Sequence, residues 1–199
     1  MHALGPHVHH PAGHALFVAP GVFDPVLTKV GEWLATVAPD LVQPGESWLD
    51  LGTGTGIVAL ALGRAGARVT AVDIDPAACR NAQMNALLHQ LPILVRQGNL
   101  FDAVAGQRFD GVVANLPFWP DPTASLPLGH AFAAGKEYAI LRQFTAQVNT
   151  FSPRGYLVLS ESFADFAGAR AALGRGMSLM RRARHRGEWM NLFERRSSS

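Results

Sequence analysis

The run Asp50-Leu-Gly-Thr-Gly-Thr-Gly56, directly behind the apolar stretch Trp48 to Leu51, constrains the fold of this chain more than any other feature. A strand that meets alternate glycines must turn sharply, and positions without a Cβ let backbone amides and the next helix's amino end approach a ligand. A helix from about Thr55 to Arg64 and a second strand from Arg68 to Asp73 complete a βαβ unit. Such a unit needs parallel pairing and a sheet covered by helices.

The alternation continues along the chain. Pro76 to about His89 reads as a helix with proline in its first turn, and Ile93 to Arg96 and Phe109 to Asn115 read as strands. Leu141, Phe144, Val148 and Phe151 mark a helix, Gly155 to Ser160 a strand, and Phe163 to Leu173 another helix. Met177 to Arg184 and Glu188 to Arg195 then close as a hairpin around Arg186-Gly187. Upstream, Val26, Leu27, Val30, Trp33, Leu34 and Val37 recur at three-four spacing, which predicts one helix ended by Pro39 and Pro44-Gly45, with Trp33 and Trp48 in the core. Residues 1–20, rich in His, Pro and Gly, have no steady period and read as an irregular lead-in; residues 21–199 read as a single domain. The expected fold is α/β: a Rossmann-like, seven-stranded, mostly parallel sheet with a C-terminal antiparallel hairpin and helices on both faces. The Pro-rich stretch from Trp119 to Gly135 reads as a long functional loop.

Composition excludes several classes. With 48% hydrophobic and 16% charged residues the chain is globular, and its single cysteine, Cys79, rules out an internal disulfide framework or a cysteine zinc site. No apolar run reaches the roughly 18 residues of a membrane span and no leader pattern opens the chain, so no membrane partner and a cytoplasmic location are expected. Residues 121–199 carry 11 Lys/Arg against 6 Asp/Glu, and Arg181, Arg182, Arg184 and Arg186 are the densest cluster. It suits phosphates, an acidic protein surface or a solvated strand face.

The glycine spacing departs from the G-x-G-x-x-G of dinucleotide sites, with Ile57 where the third glycine would fall. Asp50 before the turn suits a sulfonium or ammonium and would repel a pyrophosphate. Asp73 ends the next strand, where a carboxylate can accept both hydroxyls of a ribose. Asp75 is the better cap for the helix at Pro76. Ile74 can lie against an adenine, Asn99 can bond its edge, and Leu100 or Phe101 can form an apolar wall. Asn115-Leu-Pro-Phe118 follows a later strand. A planar nitrogen is a poor nucleophile, so it must be held by acceptors: the Asn115 carboxamide and the Leu116 carbonyl suit that task, Pro117 stiffens the turn, and Phe118 can stack on a flat group. Trp119 reads as either packing or acceptor lining. His7, His9, His10 and His14 are close enough in sequence to ligate a metal or line a substrate entrance, but a His-rich terminus needs no ligand, and no metal is expected.

Together these residues resemble the class I S-adenosylmethionine-dependent methyltransferases, and among them the HemK-like protein-glutamine methyltransferases and their small-domain relatives. The likeness runs from Gly21 to Arg195. Gly-Val-Phe-Asp-Pro25 with Thr28 resembles the family's entry segment, which implies that Phe23 and Thr28 face the substrate. Asp50 to Gly56, Val-Asp73-Ile-Asp and Gly98-Asn-Leu-Phe101 resemble its cofactor motifs, implying that Asp50, Gly52, Thr53, Gly54, Gly56, Asp73, Ile74, Asn99, Leu100 and Asn115 bind S-adenosyl-L-methionine. Asn-Leu-Pro-Phe-Trp-Pro120 is similar to its Asn-Pro-Pro-Tyr motif, and Ala133-Ala-Gly-Lys136 to its later glycine-containing segment. The chain departs from the pattern with Leu116 for the first proline, a variant also similar to the ribosomal-RNA adenine dimethyltransferases, Phe118 for tyrosine, Asn99 for an acid, and Leu27 near an acid's position in a shorter entry segment.

The resemblance implies methyl transfer to a planar or amide nitrogen, with a protein glutamine side chain ranked first, a nucleic-acid base second and a small nitrogenous metabolite third. The lead-in leaves no room for the amino-terminal helical domain of bacterial release-factor methyltransferases. The expectation is therefore a short form like those that work with a small activating partner protein. The rival readings are a cofactor-binding regulatory subunit and a nucleotide-dependent oxidoreductase.

Overall fold

In the computed structural model, which describes residues 5–11, 14–118, 136–162 and 165–196, the strand-helix alternation builds one seven-stranded sheet. Its strands are β3 (Ser47–Leu51), β4 (Arg68–Asp73), β5 (Leu94–Gln97), β6 (Gly111–Ala114), β7 (Arg154–Ser160), β8 (Ser178–His185) and β9 (Glu188–Arg196). They lie in the order β5-β4-β3-β6-β7-β9-β8. Pairs from β5 through β7 are parallel; β9 inserts antiparallel between β7 and β8. The fold class is the one expected from the sequence. Gly187, with φ 89, turns the terminal hairpin, a conformation a Cβ would strain.

Central strands are apolar on both faces because helices cover both, and the period of two divides their side chains between two cores. Leu49, Leu51, Val112, Ala114, Leu157 and Leu159 pack with α5 (Ala139–Phe151) and α6 (Phe166–Ala172) around Phe101, Phe144 and Phe193. Trp48, Val113, Tyr156 and Val158 face the opposite side, against α2 (Val30–Val37) and α3 (Ile57–Arg64). Trp48 stacks on Tyr156 at 5.9 Å, and a Cβ on Gly111 would lie 2.6 Å from its ring, so that strand position accepts only glycine beside the indole. Trp33 is also in this core. A further helix, α4 (Pro76–Leu88), is capped by Asp75, whose Oδ1 accepts from Ala77 N at 2.8 Å. That is the role expected of Asp75.

Two segments differ from the expectation. The lead-in forms a two-stranded antiparallel ribbon, β1 (His7–His9) with β2 (Leu16–Val18), pairing His7 with Val18 and His9 with Leu16. The helix expected across Val26 to Val37 is broken into α1 (Pro25–Thr28) and α2 by Lys29, whose φ of 59 puts it in the left-handed region. Asp24 caps α1, accepting from Val26 N at 3.0 Å.

The arginine cluster is engaged by neighbouring carboxylates. Arg181 meets Asp40, Arg182 bonds both oxygens of Glu161 at 2.8 and 2.9 Å, and Arg186 meets Glu32. Arg184 donates to Gly187 O. No helix among the described residues is long and apolar enough to cross a membrane.

Candidate active site

The carboxyl ends of β3, β4, β5 and β6 open onto a cleft of about 320 Å³, within the usual range of small-molecule sites. Its floor is the glycine turn after β3. Gly52 N and Thr53 N donate to Val72 O at 2.9 and 3.1 Å, and Gly56 N closes the turn onto Thr53 O at 2.8 Å. Gly52 has φ 70, and a Cβ there would lie 3.3 Å from Leu116 Cδ2 and 3.4 Å from the Asn115 carbonyl oxygen. The missing side chain is what lets the turn touch the segment after β6.

Asp50 lines the cleft but is only 1% exposed. Its Oδ2 accepts from Thr53 Oγ1 at 2.7 Å and from Ala59 N at 3.1 Å, fastening the turn to the first turn of α3. Burial pushes its carboxyl up to about 7, against the pull of those two bonds and with a further push from the Asp73 charge. Asp73 lies across the turn: Oδ2 accepts from Gly54 N at 2.8 Å and Oδ1 from Asp75 N at 3.0 Å. Burial, with a smaller push from the Asp75 charge, raises this carboxyl too, outweighing the backbone amide bonds it accepts. Each oxygen keeps lone-pair capacity for hydroxyl donors.

Ile74, 62% exposed, and Leu100, buried at φ 47, stand with Asn99 along the same wall. Asn115, Leu116, Pro117 and Phe118 form the opposite side. Among the described residues the Asn115 side chain has no hydrogen-bond partner, so its carboxamide is available to a ligand. Phe118 also belongs to the core that contains Tyr138 and Phe144. Phe23 and Thr28 border the cleft from the entry segment.

Of the residues singled out from the sequence, Gly56 does not line the cleft. A Cβ there, at φ 84, would lie 3.2 Å from Ala82 Cα, so this glycine serves the close approach of the turn to α4. Trp119 lies outside the described residues. Sequence reasoning overlooked Gly31, where a Cβ would meet Pro25 at 3.2 Å and Asn115 Nδ2 at 3.4 Å. Its interruption of the apolar stripe was the available signal. It also overlooked Asn81 and Asn85 on α4, both almost fully buried. Asn85 accepts from Phe17 N at 2.9 Å and donates to Phe17 O and Thr55 O, both at 2.8 Å; Asn81 accepts from Ala19 N at 2.6 Å. These amides fasten both the ribbon and the glycine turn to α4. Of the lead-in histidines, His7 and His9 converge on Asp24, whereas His14 lies beside His89 with ring centroids 6.4 Å apart.

The cleft fits an adenosine-bearing cation. The glycine turn offers backbone where a Cβ would obstruct, Asp73 offers paired acceptors, and the adjoining wall presents the exposed Ile74 beside the buried Leu100. Known proteins agree. A ribosomal protein L11 methyltransferase of Pelotomaculum thermopropionicum is 43% identical over 106 residues, which are 47% of this chain and 33% of that protein. A putative protein N5-glutamine methyltransferase of Methanocaldococcus jannaschii is 33% identical over 115 residues, 55% of this chain and 58% of that one. The chain thus spans about a third or less of the L11 relatives it matches. Among solved structures, one chain of an E. cuniculi two-protein complex responsible for methylation of the translation termination factor eRF1 superposes with a TM-score of 0.66 at 20% identity, over 89% of this chain and 99% of that one. Residues 18–142 match the family model of the methyltransferase small domain. The chain therefore belongs to the methyltransferase small domain family, whose members here are S-adenosylmethionine-dependent methyltransferases.

Proposed function

We propose that the chain transfers a methyl group from S-adenosylmethionine to a planar or amide nitrogen, with a protein glutamine side chain as the leading acceptor. One observation carries this reading: Asn115-Leu-Pro-Phe118 leaves β6 beside the glycine turn of β3, where parallel pairing sets Leu51 opposite Ala114 and brings the Asn115 carbonyl against Gly52. The segment expected to hold the acceptor and the turn expected to hold the donor share one wall.

The cofactor, when bound, supplies an electrophilic methyl on a sulfonium. Asp73 would accept its ribose hydroxyls, Ile74 and Leu100 would cover its adenine, and Asn99 would bond the adenine edge. Asn115 Oδ1 and Leu116 O would accept the two N–H bonds of the acceptor amide, which favours charge build-up on the nitrogen toward a methyl donor, and the proton the nitrogen gives up on methylation would pass to solvent. Pro117 fixes φ in the turn that aims these oxygens, and Phe118 gives the planar group an apolar surface. The catalysis rests on position and dipoles.

The relationship to a putative N5-glutamine methyltransferase supports glutamine, and the L11 relatives support a macromolecular protein acceptor. The two-protein architecture of the E. cuniculi complex supports a small activating partner here. A nucleic-acid base is the second reading, favoured by Leu116 in place of the usual proline. The decisive comparison is Asn115→Ala, assayed with radiolabelled S-adenosylmethionine and calorimetry. Turnover should fall about a hundredfold or more, as for loss of a transition-state hydrogen bond, with cofactor affinity little changed. Full turnover in the variant would remove the pincer from the chemistry; failure of S-adenosylmethionine to bind the wild-type protein would remove the cofactor assignment.

A further inference from the structure

Outside the cleft, His7 and His9 project from the same face of β1, as residues two apart on a strand must, toward a single carboxylate. His7 Nε2 is 3.1 Å and His9 Nε2 2.7 Å from Asp24 Oδ2, and the three atoms lie within 4.8 Å of one another. We propose that His7 Nε2, His9 Nε2 and Asp24 Oδ2 are three ligands of a divalent transition-metal site that staples the amino-terminal ribbon to the entry segment of the cleft. The site is independent of the methyl acceptor and of the cofactor chemistry.

Three features point to a cation. First, His7 Nδ1 lies 2.8 Å from Gly5 O, and a carbonyl only accepts, so Nδ1 carries the proton. With only that proton on His7, Nε2 would turn its lone pair on the carboxylate, a juxtaposition that either a second proton or a metal relieves; an Nδ1–H bonded to a backbone carbonyl is the arrangement that orients metal-bound imidazoles. Second, Asp24 is held in place before any ligand arrives. It is 5% exposed, and its Oδ1 is committed to Val26 N, leaving Oδ2 aimed at the histidines. Third, the spacing is close to what an ion requires. Ligand atoms about 2.0 to 2.2 Å from a tetrahedral centre stand roughly 3.3 to 3.6 Å apart, so the two histidine–carboxylate separations need only sub-ångström expansion, and the remaining one is at most 4.8 Å. Two imidazoles and one carboxylate suit zinc, cobalt or nickel over magnesium or calcium. The histidine side chains are 27% and 32% exposed, which leaves the ion a path in and room for a water ligand.

Asp24 stands between Phe23 and Pro25, both of which border the cleft, so a metal here would brace that border of the cleft. The test uses the full chain without an affinity tag, stripped with chelator and titrated with Co²⁺, read by visible absorption, and with Zn²⁺, read by calorimetry. One equivalent should bind. His7→Ala, His9→Ala and Asp24→Asn should each weaken binding about tenfold or more, at least as much as loss of an outer-shell partner. Asparagine still caps α1, so Asp24→Asn should keep the fold, checked by circular dichroism. His14→Ala is the control and should bind as wild type. No one-equivalent binding by the wild-type protein would overturn the proposal and assign a second proton to His7. Equal binding by the wild type and all three ligand variants would overturn it too, placing the metal elsewhere.

Discussion

Asp50 is a buried carboxyl whose work is to hold a turn, and its position makes stability depend on pH. Burial raises it to about 7, well above the roughly 3.9 of an unfolded aspartate. Between those values the folded chain keeps a proton that the unfolded chain releases. The associated stability is fully present below the unfolded value, falls as pH rises through about 7, and is constant above it. Thermal unfolding from pH 5 to pH 8 should show the gap between Asp50→Asn and wild type shifting in favour of the variant as pH rises. Parallel curves would show that Asp50 ionises in the folded chain as readily as in the unfolded one. The asparagine keeps an acceptor for Thr53 Oγ1 and Ala59 N, so the comparison isolates charge.

At the scale of elements, α4 is the anchor of the site although it contributes little to the cleft itself. Asn85→Ala would leave Phe17 N and Thr55 O without their bonds, at a cost of about 2 to 4 kcal/mol, and would loosen the glycine turn. Denaturant unfolding should show that loss, accompanied by weaker S-adenosylmethionine binding; unchanged binding would mean that the turn holds its shape without α4. Much of this architecture was legible in the sequence. Apolar strands, the glycine turn and Pro76 behind Asp75 are local signals whose physics is local, so their elements formed where expected. What was hidden depends on distant partners. Asn81 and Asn85 look like ordinary polar helix residues until β2 lies across them. The apolar stripe from Val26 to Val37 passes straight over Lys29, because a left-handed residue changes the path of a helix without changing which side chains are apolar. His7 and His9 acquire a chemical meaning only through Asp24, 15 to 17 residues downstream. Strands of three residues are also too short for a period to show.

Across the whole molecule, positive charge is concentrated late in the chain but partly neutralised where it stands. Arg181, Arg182 and Arg186 face Asp40, Glu161 and Glu32. Phosphates would have to displace those carboxylates, so this face should bind random-sequence RNA weakly. A plot of log affinity against log salt should have a slope no steeper than about −2, corresponding to two or three phosphates neutralised on a single strand. A steep slope would move a nucleic-acid base ahead of glutamine as the acceptor. The ribbon at the amino end has a consequence in time as well as space. Phe17 finds its partner at Asn85, 68 residues later, so during synthesis β2 emerges long before the helix that receives it. The Phe17 side of the ribbon gains its α4 partners only once that helix has been made. Chains halted before α4 would therefore leave the Phe17 and Ala19 backbone without the Asn85 and Asn81 amides that hold it, and would be natural targets of chaperones.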